Sequence, residues 1–227
     1  MPLILFGLAI IALVFGPQLW VASTLRRYAS ERPDLPGTGG ELAAHLITRF
    51  SLNGVTLREG QAGEDYYDPE RRVVSLSTPH FHHKSIAAVA IAAHEVSHAL
   101  QHQQQHRGFM HRQRRLRLAM MIERFGAMAL MVTPVIFLIT RVPQTTLITL
   151  LLGASGMIAS LWVQLMNLPV ELDASFNKAL PILAEGYLHQ KDLPGARKVL
   201  KAAAMTYVAA ALASLLNIGR WISIMRR

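Results

Sequence analysis

His94, Glu95 and His98 stand in the run His94-Glu95-Val96-Ser97-His98. On a helix, residues four apart share a face, so two imidazoles at this spacing can reach one ion. Zinc accepts neutral imidazole nitrogen, and a catalytic zinc takes three protein ligands and keeps one position open. Glu95 follows the first histidine at a rotation of about 100°, given 3.6 residues per turn. That keeps its carboxylate out of the ligand set but near an attacking water, whose proton it can take while the metal polarises a peptide carbonyl. The pattern predicts a zinc metallopeptidase with His94 and His98 as metal ligands, Glu95 as catalytic base, and one Zn2+ per chain.

The chain has no cysteine, so any metal must be held by histidine and carboxylate. Glu171, in Leu168-Pro169-Val170-Glu171, is the candidate for the third ligand. An acid beside an apolar run at a membrane edge calls for a partner, and a metal is one. The plainer reading is that Glu171 caps a helix starting after Pro169, since acids favour helix starts. Asp173 is the nearby rival, two residues on and so facing the other side if Glu171 faces the metal. His102 and His106 continue the spacing of four, but each step drifts by about 40°. His102 is read as a rim residue and His106 as solvated. His80, His82 and His83 precede the helix and are read as lining the cleft rather than as ligands.

The elements that must position these residues follow from the flanking sequence. Ser85 can cap an alanine-rich helix running from Ile86 to about Gln105, free of glycine and proline. Before it, Glu41–Phe50 has helical spacing. Gly54–Arg58 and Arg72–Ser77 read as two strands, with Asp65, Asp68 and Pro69 in the turn between them, and the expectation is a small hairpin.

The rest is apolar. Only 16% of the 227 residues are charged, against roughly 25% in an ordinary soluble domain. Residues 2–23 carry no charge, and about 20 such residues span a bilayer. Without a basic start or a cleavage site, this segment reads as a retained anchor. Leu118–Thr140 and Thr146–Leu168 form a second and third span, joined by a short loop. Ala202–Ile218 is a fourth, rich in small residues suited to close packing, with Trp221, Arg226 and Arg227 anchoring its end. The expected fold class is a mainly α membrane protein with about four transmembrane helices and a small α+β metallopeptidase domain. Its divisions are an anchor (1–23), a catalytic region (24–117), a transmembrane hairpin (118–168), a helix with the third ligand (169–201) and a last span (202–227).

The chain carries a formal charge of +9. No aromatic-and-basic pattern accompanies it, so nucleic acid is not an expected partner. The basic run from His106 to Arg117 suits a membrane edge rich in anionic headgroups. Residues 24–117 hold thirteen Lys and Arg and residues 169–201 hold five, against one in 141–145. The positive-inside rule places the first two segments in the cytoplasm, the same side, as a shared metal ion requires. A fourth span puts Arg226 and Arg227 outside, against that rule.

The stretches Tyr67-Asp68-Pro69, Val73–Ser77 and Ser85–Gln101, with Leu168–Glu171 and Asp173-Ala174-Ser175, resemble the bacterial family of neutral zinc metallopeptidases with membrane spans. More distantly they are similar to the gluzincins, including the membrane heat-shock and CAAX-prenyl-protein proteases. The resemblance implies that Glu171 is the third ligand, and that Val73–Ser77 is an exposed sheet edge along which an extended substrate pairs. Two positions depart from it. Ser97 stands where the family often has glycine, and Ser175 stands where the wider group often has an aspartate that orients the histidines, leaving Asp173 as an alternative for that role.

The function expected is hydrolysis of peptide bonds in peptide or membrane-protein substrates, at the cytoplasmic surface of the bacterial inner membrane. The lipid bilayer is a partner, and an oligomer or regulatory membrane partner is compatible with the sequence. The alternatives are an intramembrane site-2-type protease and a non-catalytic zinc-binding scaffold.

Overall fold

The computed structural model of the chain describes residues 2–225. Arg226 and Arg227, assigned above to anchoring, lie outside them, as does the Trp221 side chain. The chain is mainly helical with one small sheet. Its elements are α1 (Pro2–Arg27), α2 (Gly39–Arg49), β1 (Thr56–Gly60), β2 (Tyr66–Asp68), β3 (Val73–Ser77), α3 (Thr78–His82), α4 (Ile86–Gln103), α5 (Arg107–Thr140), α6 (Pro143–Leu172), a π-helical segment (Asp173–Ala179), α7 (Leu180–Ala184) and α8 (Leu193–Met225). They form two compact units. One comprises Leu19–Met110 and Pro169–Thr206. The other gathers the segment ending at Gln18, His111–Leu168 and the segment from Tyr207.

The first of these units is built around α4. Ser85 caps it, its hydroxyl accepting from Ala88 N–H at 3.1 Å. Ala87, Ala88, Ala90, Ala92 and Ala93 are all fully buried. A helix buried on every side needs small residues, because its neighbours approach from all directions. Around it pack Leu42, Ala43 and Leu46 of α2, Val74 and Leu76 of β3, Leu183 of α7, and Val199 and Leu200 of α8. Gly39 lets α2 come this close, since a Cβ there would lie 2.8 Å from the Ala88 carbonyl. Thr38 and Glu41 form a reciprocal capping box that fixes where α2 starts.

The sheet differs from the expected hairpin. β1 and β3 run parallel, from Thr56 beside Val73 to Gly60 beside Ser77. The intervening chain contributes β2, antiparallel to β3, giving the order β1-β3-β2. Parallel neighbours need a crossover of about a dozen residues or more rather than a tight turn, and residues 61–72 supply it. The expectation that β3 is an exposed edge is therefore wrong. β3 is the central strand, Val74 to Ser77 are buried, and the edges are β1 and β2.

In the other unit, α5 and α6 form a helical hairpin. The turn at Arg141 is left-handed (φ 54°) and tied by hydrogen bonds among Thr140, Val142 and Thr145. The helices touch where Gly126 meets Gly153 and Gly156, and a Cβ on Gly126 would sit 3.2 Å from the Gly153 carbonyl. Small residues at a crossing bring backbones into contact. Among the described residues, one helix, α5, is long and apolar enough to cross a membrane. Helices α1, α5 and α6 continue through Pro17, Pro134 and Pro169.

The end of β3 is held by a partly buried carboxylate. Asp65 accepts from Ser77 N–H at 2.8 Å and from His80 Nδ1–H at 2.8 Å. Burial opposes its charge, but the hydrogen bond and charge of His80 and the donors of Ser77 outweigh that and hold its carboxyl below the usual carboxylate range. A depressed folded value contributes stability that is present above the unfolded value of about 3.9 and is lost as pH falls through the folded one. Asp65→Asn is expected to cost about 1–3 kcal/mol at neutral pH, and to flatten the loss of stability on acidification. Thermal unfolding across a pH series checks this. An unaltered acid limb in the variant would exclude Asp65 as its source.

Candidate metal centre

His94 and His98 lie one turn apart on α4 with their rings 4.7 Å apart, edge to face. Glu171 comes from the end of α6. Its Oε2 lies 3.3 Å from His94 Nε2 and 3.1 Å from His98 Nε2. One ligand atom from each of the three residues falls within 4.8 Å of the others, and all three residues are buried. Because the helical assignment of α6 continues past Pro169 to Leu172, Glu171 is not at a helix start, and the capping reading fails.

The hydrogen bonds around the ring fix the proton positions. Gln101 Nε2 donates to the Val170 carbonyl at 3.0 Å and to Asp173 Oδ2 at 2.8 Å. Both partners are acceptors, so the amide orientation is determined and Gln101 Oε1 faces His98. His98 Nδ1 lies 2.9 Å from that oxygen and must be the donor. Likewise the Ser175 hydroxyl donates to the Leu200 carbonyl at 3.1 Å, which leaves its lone pair for His94 Nδ1–H at 3.1 Å. In neutral imidazole one nitrogen donates and the other accepts. With both rings neutral the Nε2 atoms are acceptors, and they face a carboxylate oxygen.

Three acceptors converging in a buried place repel one another unless a cation lies among them. Two imidazoles and one carboxylate form a donor set suited to zinc, and outer hydrogen bonds that set the tautomer are the usual support of such ligands. The residues present fit the metal.

The π-helical segment delivers the outer partners. Leu180 N–H bonds to Ser175 O, the i→i+5 pattern that widens a turn. Ser175 reaches His94 directly. Asp173, expected on the side away from Glu171, reaches His98 through Gln101. Burial opposes its charge, but hydrogen bonds from Gln101 and Asn177 prevail and hold its carboxyl below the ordinary range. The two outer roles are thus divided between Ser175 and Asp173. Gln101 had no role in the sequence reading. Its position three residues after His98, on the metal-facing side, is the signal that could have found it.

The other histidines fall elsewhere. His102 bonds the Tyr67 hydroxyl at 2.9 Å, and its ring packs on Phe109. His106 Nδ1 accepts from Phe109 N–H at 3.4 Å, at the start of α5. His80, His82 and His83 are engaged by Asp65, Glu59 and Glu31 respectively. Ser97 is fully buried and bonds its own helix at the Ala93 carbonyl, 2.7 Å away, so a side chain fits where glycine is frequent. Glu95 is 7% exposed.

Loss of an outer partner should weaken metal binding without removing a ligand. Ser175→Ala and Asp173→Asn are each expected to reduce zinc affinity by about 10–100-fold, measured by competition against a chelator. Wild-type affinity in both variants would mean these bonds do not orient the imidazoles.

Residues 3–226 match the family described as "Putative neutral zinc metallopeptidase". A protein of Bacillus subtilis (strain 168) named "Putative membrane protease YugP" is 35% identical over 233 residues, covering 97% of this chain and 95% of the relative. No solved structure matches the chain significantly. The match runs across both units and through every residue of the buried histidine–glutamate cluster, and the chain belongs to the putative neutral zinc metallopeptidase family.

Proposed function

We propose that this protein is a membrane-bound zinc endopeptidase in which His94, His98 and Glu171 hold the metal and Glu95 is the catalytic base. The observation that carries this reading is the meeting of two imidazole Nε2 atoms and one carboxylate oxygen at a buried point, with both Nδ1 protons already committed. Bound zinc supplies the Lewis acidity that polarises a scissile carbonyl. The chain does the rest. Gln101 and Ser175 hold the imidazoles in orientation. Glu95, about 100° round the helix from His94, takes a proton from the attacking water. As the water oxygen bonds to the carbonyl carbon and the C–N bond breaks, Glu95 returns that proton to the leaving amine.

The membrane reading rests on exposed apolar surface. Leu138 and Ile139 of α5 are 72% and 77% exposed, and Leu151, Ile158 and Trp162 of α6 and Leu5, Leu13 and Phe15 of α1 are exposed as well. So much uncovered apolar area is unfavourable in water and expected in lipid. We assign spans to α1, α5, α6 and α8, in the bacterial cytoplasmic membrane, with the metal centre at the cytoplasmic surface where the Lys and Arg are concentrated. The relative from Bacillus subtilis is itself named a membrane protease. An intramembrane site is disfavoured because the apolar side chains of α4 are covered by α2, β3, α7 and α8. Burial in a protein core accounts for their character without lipid.

Glu95→Gln is expected to retain zinc while peptide hydrolysis falls by about 100- to 10,000-fold. Glu171→Ala is expected to lose both metal and activity. Zinc bound by wild type with no cleavage of a broad peptide library would favour the scaffold reading, and unchanged zinc affinity in Glu171→Ala would remove that residue from the ligand set. For topology, reporter fusions after His83 and after Arg107 should both report the cytoplasm; reports from opposite sides would favour the intramembrane site.

A further inference from the structure

A cavity of about 210 Å³ opens beside α4, away from the histidine–glutamate cluster. On α4 it is lined by Ala99, His102 and Gln103. These residues stand four, seven and eight positions after Glu95, so they continue the helix face that Glu95 occupies. His94 and His98 belong to the neighbouring face. The cavity therefore extends the side of α4 from which a water would be activated.

Its lining carries charge of one sign. Arg72 is the cation there, Asn53, Gln103 and Gln105 bring neutral amides, and Tyr67 and His102 form a hydrogen-bonded pair in the wall. No carboxylate lines it among the described residues. Among the described residues the exposed Arg72 side chain makes one hydrogen bond, from Nη1 to the Asn53 carbonyl at 3.3 Å, and has no ion-pair partner within 4.0 Å. The remaining donors of its planar fork suit a carboxylate, which they can grip in a bidentate manner. Two backbone positions are also set here at a cost. Arg72 and Gln105 both take left-handed conformations, φ 52° and 51°, which non-glycine residues rarely adopt and which gather at binding sites. Burial and the charge of Arg72 together lower the His102 pKa, so the field of the guanidinium reaches the cavity wall.

We propose that this cavity is a substrate subsite that takes a carboxylate, with Arg72 as its specificity-determining residue. The carboxylate is either an acidic side chain near the scissile bond or the C-terminus of a short peptide. The proposal rests on the peptidase reading for its purpose, but its test reads binding rather than turnover.

The probes are four fluorescein-labelled alanine-rich nonapeptides: one central glutamate or glutamine, each with a free or amidated C-terminus. Their affinities are measured by anisotropy on the full-length Glu95→Gln protein, loaded with zinc and held in lipid nanodiscs. One carboxylate-bearing probe is expected to bind roughly five- to tenfold more tightly than its neutral twin at low salt, with the difference shrinking as salt screens it. The glutamate arm and the free-terminus arm distinguish the two sources. Adding Arg72→Gln should abolish the difference, and Arg72→Lys should restore part of it, which a folding defect would not do. Equal affinities within both pairs, or a preference that survives Arg72→Gln, would overturn the proposal. A preference that holds while wild type cleaves no peptide would leave the subsite standing and overturn the endopeptidase reading instead.

Discussion

Two imidazole nitrogens and a carboxylate oxygen aimed at one another in a buried place form the constraint on which the unit around α4 depends. Such an arrangement is costly without a cation, and its geometry survives only if the groups are held from behind. The holding is done by few residues. Gln101 grips His98 and is itself gripped by Asp173 and the Val170 carbonyl. Ser175 grips His94 and is anchored on the Leu200 carbonyl. The bonds from Gln101 to Asp173 and between His94 and Ser175 join α4 to the π-helical segment, more than seventy residues away along the chain.

That network explains the composition of α4. A helix presenting ligands on one face, meeting a sheet on another and receiving α2, α7 and α8 on the rest has no solvent side for its middle turns. Alanine is the residue that permits such approach while keeping helix propensity high. The apolarity of this helix, which on its own would admit a membrane location, is the apolarity of a core. The surface apolarity of α1, α5 and α6 is of the other kind, because large side chains there remain uncovered.

The site and the neighbouring cavity use the same helix in two registers. The stripe through His94, His98 and Gln101 meets Glu171 from α6. Ala99, His102 and Gln103, further along the stripe that begins at Glu95, line the cavity. One helix thereby carries the histidine pair and part of the cavity wall, and the left-handed residues Arg72 and Gln105 line the cavity rather than the histidine–glutamate cluster.

The sequence by itself nominated the histidine pair and the base, because His94 and His98 share one face once the segment is helical, and the alanine run with its Ser85 cap specifies a helix. It also determined the apolar segments, since hydropathy is additive along the chain. Glu171 was nominated, but against a capping alternative that only the course of α6 through Pro169 removed. Tertiary structure decided the remainder. The pairing of β1 with β3 depends on where residues 61–72 cross, and β2 is too short to leave a periodic signal. The π-helical turn has no sequence signature, yet it brings Asp173 and Ser175 to bear on different histidines. Gln101 reads as an ordinary helical residue until its amide is seen between three partners. Local spacing is written in the order of residues, whereas the direction of a hydrogen bond between distant segments exists only after the chain has folded.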